Sequence, residues 1–447
     1  MDSATIYALA TAPGVAGIAI IRVSGPDAGK ALEAMTGERV APRFAKRVKI
    51  TNPKTSEPID DGLVLWFPGP ASFTGEDVCE LHVHGGHAVV QGVLEGLGGV
   101  SGLRLAEAGE FTRRAFENGK MDLTAAEGLA DLVAAETAAQ RKQALRQLDG
   151  ELGRIYETWR ERLLAALAHR EANIDFSDED LPDGIDSAAN AELADIEQEI
   201  GAHLADNRRG ERLRSGLLIA IIGPPNAGKS SLLNQLARRD AAIVSEVAGT
   251  TRDVIEVHLD LGGFPVIVAD TAGLREGGEA IEAEGVRRAH AKAENADLRL
   301  AVFDGATWPD TDPMTAALVD DDTVVVVSKA DLGVLAVPLE VGGQKALAIS
   351  AQTGDGIDDL LAAIDGRVHG MINAPAAPAL TRLRHRDALE ECHAALGRFL
   401  GATERDKTPE LAAEDLRLAV RALGRITGRV DVDDVLDVIF RDFCIGK

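Results

Sequence analysis

Residues 223–230 read GPPNAGKS, a G-x-x-x-x-G-K-S spacing built to hold a nucleoside triphosphate. Gly223 and Gly228 let the backbone curl so that successive N–H groups face a phosphate. Lys229 brings a point charge to the β- and γ-phosphates, and the Ser230 hydroxyl can bind magnesium. The phosphate-contacting set is Asn226, Ala227, Gly228, Lys229, Ser230 and Ser231. Four further elements follow in order. AGTTRD (248–253) offers Thr251 as a hydroxyl that senses the γ-phosphate and magnesium. DTAG (270–273) offers Asp270 to the metal through water and the Gly273 N–H to the γ-phosphate, with Thr271 and Ala272 between them. SKAD (328–331) carries Ser328, Lys329 and Asp331, whose carboxylate can accept from the guanine N1–H and amino group. SAQ (350–352) places the backbone of Ser350 and Ala351 near the guanine oxygen. One such element is weak; the ordered set selects GTP over ATP.

These groups need strands that end where they begin. An apolar run at 217–222 reads as a buried strand leading into the loop, and Leu232, Leu233 and Leu236 continue beyond it as a helix. Further strands are expected at 255–261, 265–269, 298–303, 323–327 and 346–349, alternating with helices in a doubly wound α/β sheet. Two positions depart from the usual GTPase pattern. Position 328 is Ser rather than Asn, so its shorter side chain is expected to lose reach. Leu274 stands where Ras-like enzymes carry a water-orienting Gln. Hydrolysis therefore needs other help. Asn226 reads either as a ligand for a monovalent cation beside the phosphates or as a loop-stabilising amide.

Around this domain the chain changes character. Residues 1–118 hold β-like runs at 18–23 and 63–67 among Gly and Pro, a small α+β domain. His82, His84 and His87 lack a third ligand at metal spacing and read as hydrogen-bonded histidines at a strand end. Leu145, Leu148, Leu152, Ile155, Trp159, Leu163 and Leu167 step by three and four, an extended amphipathic stripe. The acidic stretch 175–183 reads as a solvated capping loop, and 208–216 as a hinge. Helical periodicity returns from Leu383 through Leu389, Cys392, Leu396 and Phe399, then Leu416, Val420 and Leu423. The boundaries are 1–118, 119–214 (helical, first half), 215–372 (GTPase) and 373–447 (helical, second half), with the α/β domain inserted into a split helical one.

Composition bounds the partners. Across 447 residues, 45% are hydrophobic and 27% charged, a globular balance, and no apolar run reaches the roughly 18 residues of a membrane span. Three scattered cysteines and no basic leader fit a cytoplasmic protein. A net charge of −25 argues against a broad nucleic-acid grip, since such affinity comes from clustered cations. Only KRVK (46–49) and RLRHR (382–386) cluster, so any RNA contact is local or shared with a partner.

Taken with TAPGVAGIAIIRVSGP (11–26), FTGEDVCELHVHGG (73–86), GEFTRRAFENGKMDLTAAEG (109–128) and the terminal FCIGK (443–447), these motifs resemble the MnmE (TrmE) family of tRNA-modification GTPases over essentially the whole chain. The resemblance implies an N-terminal tetrahydrofolate-binding, dimerising domain and a homodimer. It also implies a complex with the FAD-dependent partner MnmG, heterotetrameric in form. The pair would modify carbon 5 of the wobble uridine of certain tRNAs with aminomethyl-type groups, using 5,10-methylene- or 5-formyl-tetrahydrofolate. By motif match it puts folate on Arg22, Glu80, Lys120 and Lys447, and magnesium on Ser230 and Thr251. It puts potassium on Asn226, Ser245, Val247 and Thr250, Ser245 standing where the family commonly has Thr. Glu282 would position the attacking water, and Cys444 would be a catalytic thiol. Chemistry alone leaves two classes open, a subunit of a modification enzyme or a signalling GTPase. The terminal thiol and lysine favour the former.

Overall fold

A computed structural model of the chain describes residues 4–175, 185–206, 208–239, 241–243, 256–270, 296–333, 340–372, 379–402 and 409–430, with 436, 439–441, 443 and 446 near the C-terminus. The described chain forms two compact units. One comprises Met1–Ala130, Arg146–Ala194 and Glu391–Lys447; the other comprises Asp131–Leu145 and Asp195–Glu390.

In the first unit, six strands make a mixed sheet: β1 (Thr5–Leu9), β2 (Ala16–Ser24), β3 (Lys46–Thr51), β4 (Pro58–Phe67), β5 (Val78–Gly85) and β6 (Leu103–Leu105). Their order is β3-β4-β5-β2-β1-β6, and only the β1–β6 pair is parallel. The period-two alternation sends Tyr7, Ile21, Val23, Ile50, Val64 and Leu81 to one face, under the helices Ala28–Thr36 and His87–Gly98. The opposite face gathers a smaller core of Ile6, Ala8, Ala106 and Phe111, with Phe73 packed against it. The runs expected at 18–23 and 63–67 are the middle of β2 and the end of β4.

The helical part of this unit packs Glu151–Asp175 against Pro409–Thr427. Leu152, Trp159 and Leu163 are buried on the first helix, and Leu416 and Leu423 on the second. The expected stripe from Leu145 to Leu167 is not continuous. One helix ends at Leu148 and the next starts at Glu151. Between them Gly150 takes φ +79°, a left-handed conformation that suits a residue without Cβ. Leu145, on the first of these helices, is 41% exposed. The acidic stretch at 176–183 lies outside the described residues.

The second unit carries a seven-stranded sheet of β7 (Leu217–Ile222), β8 (Glu256–Leu261), β9 (Phe264–Asp270), β10 (Leu298–Asp304), β11 (Thr323–Ser328), β12 (Glu340–Val341) and β13 (Gln344–Ala348). The order β12-β13-β11-β10-β7-β9-β8 is parallel except at its two ends. Apolar clusters pack on both faces, so central strands are apolar on both sides, and every residue of β11, Thr-Val-Val-Val-Val-Ser, is buried. The six expected strands are all present within one or two residues of their expected limits.

The expected hinge at 208–216 is instead a short helix, Arg209–Ser215, held at several points. Arg212 Nε donates to Asp297 Oδ1 at 2.7 Å and Arg214 Nε to Asp131 Oδ1 at 2.8 Å. Gly210 packs so closely on the Leu380 carbonyl that a Cβ there would collide with it.

Candidate nucleotide site

β7 is the switch point of the doubly wound sheet. The chain leaves it for β9 on one side and β10 on the other, which opens a crevice beyond the strands' carboxyl ends. Residues 223–228 fill that crevice as a loop and run into the helix Lys229–Leu236. Gly223 adopts φ +152°, and a Cβ there would strike the Val302 carbonyl, so β10 sets how far the loop can drop. Asn226 takes φ +62°, which a short amide side chain tolerates better than most. Lys229 is 7% exposed, and its ammonium donates to the Gly223 and Pro224 carbonyls at 2.7 and 2.8 Å. The side chain folds back over its own loop and holds its charge at the loop's centre.

Beside it the Ser230 hydroxyl donates to Asp270 Oδ2 at 2.7 Å. Asp270 is the last residue of β9 and is buried. A hydroxyl and a carboxylate converging at the end of parallel strands form a hard-oxygen corner of the kind magnesium takes, with water completing its octahedron. The described residues therefore fit that ion at Ser230. Thr251, Thr271, Ala272 and Gly273 lie outside the described residues, as do Ser245, Val247, Thr250 and Glu282.

The segments expected to read the base, Ser328–Asp331 and Ser350–Gln352, follow β11 and β13 on the other side of β7 from β9. Ser328 ends β11 and is 4% exposed, and its Oγ lies 2.6 Å from the Ala227 carbonyl and 3.1 Å from that of Phe303. The shorter side chain reaches the phosphate loop, because β11 and the loop approach closely enough for a hydroxyl to bridge them. Lys329, at φ +58°, donates from Nζ to Asp304 Oδ2 at 2.6 Å. Burial works against the Asp304 charge, but the Lys329 bond and the Ala306 N–H hold its carboxyl below the usual range. Asp304 was not singled out from the sequence, although its place at the end of an expected strand was a signal. Ser350, fully buried, donates from Oγ to Asp331 Oδ1 at 2.6 Å and accepts from the Gln352 and Thr353 N–H groups. The Asp331 carboxylate is thus aimed by a neighbour while the residue stays exposed. Ala351 follows at the same turn.

On the first unit's sheet, Arg22 and Glu80 are cross-strand neighbours on the face opposite the larger core. Both Nε and Nη2 of Arg22 donate to Glu80 Oε1, at 3.0 and 2.9 Å, and the guanidinium lies over the rings of Phe73 and Phe111 at 5.5 and 5.8 Å. The bond from His82 at 3.2 Å, against burial and together with Arg22, holds the Glu80 carboxyl below its ordinary range. His84 bonds Asp60, so both histidines have hydrogen-bond partners. Among the described residues, no cluster of three metal-ligating side chains occurs. Lys120 packs against Gly75, two residues from Phe73, and its Nζ donates to the Pro70 carbonyl at 2.9 Å. Cys444 and Lys447 lie outside the described residues.

The motif Glu110–Arg114 turns out to be a buried support that sequence did not reveal. Arg114, 6% exposed, bonds Glu76, Glu110 and the Ala4 carbonyl, and Glu110 takes two more bonds from Arg104. The RLRHR cluster is likewise committed within the protein. Arg382 donates to Asp131 at 2.7 Å, and Arg386 to Asp206 and Glu211 at 2.7 and 2.6 Å. His385 is fully buried. Those three side chains form structural contacts rather than a free basic patch for RNA. At KRVK, Lys46 and Arg47 remain exposed and pair with Glu38 and Asp61.

A phosphate loop at the switch point, a hydroxyl–carboxylate corner and an aimed aspartate two strands away define a phosphate-loop GTPase. A family model of the MnmE helical domain matches residues 123–444, and one described as GTP-binding protein TrmE N-terminus matches residues 5–120. The chain belongs to the MnmE family of tRNA modification GTPases. The tRNA modification GTPase MnmE of Paramagnetospirillum magneticum is 58% identical over 449 residues, covering 100% of both chains. The human 5-taurinomethyluridine-[tRNA] synthase subunit GTPB3, mitochondrial, is 49% identical over 100% of this chain and 94% of its own length. Among solved structures, Era in complex with MgGDPNP and nucleotides 1506–1542 of 16S ribosomal RNA aligns at TM-score 0.28 and 25% identity, over 40% of this chain and 66% of that one. Among the described residues, no helix is long and apolar enough to cross a membrane.

Proposed function

We propose that this GTPase acts in the cytoplasm as a homodimer, with an FAD-dependent partner of the MnmG type, to modify carbon 5 of the wobble uridine of certain tRNAs. The product is an aminomethyl or carboxymethylaminomethyl group. The observation that carries the reading is the full-length match at 58% identity to a tRNA modification GTPase. The human relative's name, which specifies a modified uridine in tRNA, supports the uridine. GTP sits with its phosphates on Asn226–Ser231 and its base against Asp331 and Ala351, with Ser328, Lys329 and Ser350 in support. Magnesium falls to Ser230 and Thr251, and Asp270–Gly273 sense the γ-phosphate. Cys444 is the candidate thiol of the modification step.

A tetrahydrofolate derivative supplies the one-carbon unit. Arg22 and Glu80 offer a cation and an acid beside two aromatic rings, which suits the donor–acceptor edge of a pterin; Lys120 and Lys447 complete the set. The test is mass spectrometry of tRNA nucleosides from a strain lacking the gene, complemented with variants. Deletion should replace the modified wobble uridine by an unmodified or incompletely modified one. The wild-type chain should restore it, and Arg22→Ala and Glu80→Gln should not. An unchanged nucleoside profile on deletion rules out the function, and full rescue by both variants rules out the folate pocket.

Hydrolysis is slow in isolation and is raised by potassium held at Asn226, Ser245, Val247 and Thr250, with Glu282 orienting water. Leu274 in place of a glutamine is the reason to look for such help. GTP turnover should be several-fold to orders of magnitude faster in potassium than in sodium at equal ionic strength. Asn226→Ala should erase the difference. Equal rates in both salts return Asn226 to a loop-stabilising role.

A further inference from the structure

The hydroxyl of Ser328 has a single proton, and two carbonyl oxygens surround it: Ala227 at 2.6 Å and Phe303 at 3.1 Å. Both neighbours are acceptors, so the proton is committed to the protein, and the shorter contact places it on the phosphate loop. The residue is 4% exposed, and a Cβ at Gly228 would sit 3.4 Å from Oγ. Ser328 is thus wedged under the loop. What remains of its hydroxyl is lone pairs. On guanine's imidazole side and at its carbonyl, N7 and O6 are themselves acceptors, so Ser328 has nothing to donate to either. An asparagine amide, the usual residue here, has two protons and can hold the loop carbonyl with one while the other serves the base.

We propose that Ser328 is a positioning residue that fastens the base-reading segment to the phosphate loop through the Ala227 carbonyl, and that this protein in consequence reads guanine without a side-chain donor to N7. Discrimination then rests on the N1–H and amino edge, where Asp331 is aimed by Ser350. This rests on the placement of the base against Asp331 given above. The bond to Ala227 joins two segments 101 residues apart in sequence, so its loss is felt at the phosphates as well as at the base.

The experiment compares GDP with 7-deaza-GDP, in which N7 is replaced by a C–H, by competition against a fluorescent GDP analogue on the full-length chain. The wild type should bind both within about twofold of each other. Ser328→Asn should bind GDP more tightly and disfavour 7-deaza-GDP by about three- to tenfold, the worth of one neutral hydrogen bond. Ser328→Ala should release GDP several-fold faster while keeping the wild-type ratio of the two ligands. A tenfold preference of the wild type for GDP over 7-deaza-GDP overturns the proposal, whatever the variants do. So does an unchanged GDP release rate in Ser328→Ala, or an unchanged ratio in Ser328→Asn. Asp331→Asn is the separate control: if it leaves GDP affinity intact, the base placement itself fails, a result the 7-deaza ratio cannot mimic.

Discussion

Lys229→Ala should lower kcat/KM for GTP by about 10²–10³-fold, the loss typical when one donor to developing charge is removed. The side chain is 7% exposed and anchored by two carbonyls of its own loop, so its ammonium stands in place before any phosphate arrives. Substitution removes that buried cation and its bonds to the Gly223 and Pro224 carbonyls. Single-turnover hydrolysis at saturating and limiting GTP separates binding from chemistry. A thermal melt checks that the variant is folded. Lys229→Arg tests geometry, because a planar fork cannot reproduce a point charge between two carbonyls. A folded Lys229→Ala variant within threefold of wild type would falsify the assignment and make the lysine a loop brace alone.

The second large effect is expected at Asp331. Two charge-assisted bonds, each worth about 1.5–3 kcal/mol, should vanish in Asp331→Asn. That corresponds to roughly 10²–10⁴-fold weaker GDP binding. Xanthine carries a carbonyl where guanine has its amino group, so the new amide can donate to it, and xanthosine diphosphate should bind the variant better than GDP does. The Ser350 hydroxyl at 2.6 Å remains as a partner for the amide oxygen, so the side chain keeps its aim. Competition binding with GDP, xanthosine diphosphate and ADP reads out the change. Retained preference for GDP in the variant would remove Asp331 from base recognition.

What sequence revealed and what it hid follow from the range of the interactions. The phosphate loop and the strands that feed it were legible because each is local: an apolar run, two glycines, a lysine and a serine within 20 residues. The role of Ser328 was not, since its partner Ala227 is 101 positions away and only the closeness of β11 to the loop lets a hydroxyl reach. The internal ion pairs of the local basic cluster RLRHR are hidden for the same reason. Asp131, which takes Arg382, is 251 residues distant, and Asp206 and Glu211, which take Arg386, are 180 and 175 away. Burial of Glu110 and Arg114 was hidden by composition, because charged residues are seldom buried unless paired and the pairing is a tertiary fact. Helical periodicity found the helices but not the left-handed turn at Gly150 that splits the stripe.

The first unit is discontinuous in sequence, and this sets a schedule for synthesis. The helix Glu151–Asp175 leaves the ribosome early, but the helix that packs against it, Pro409–Thr427, comes from the last segment of the chain. Roughly 230 residues separate Asp175 from Pro409, which takes on the order of 12–47 s at about 5–20 residues per second. Through that interval Trp159 and Leu163, both buried in the finished unit, wait without their final neighbours. The seven-stranded sheet, drawn from 217–348, has all its strands translated well before then. The inserted nucleotide domain can therefore be complete while the apolar stripe of the helical domain is still waiting, which makes that stripe the natural place for a chaperone to act on the nascent chain.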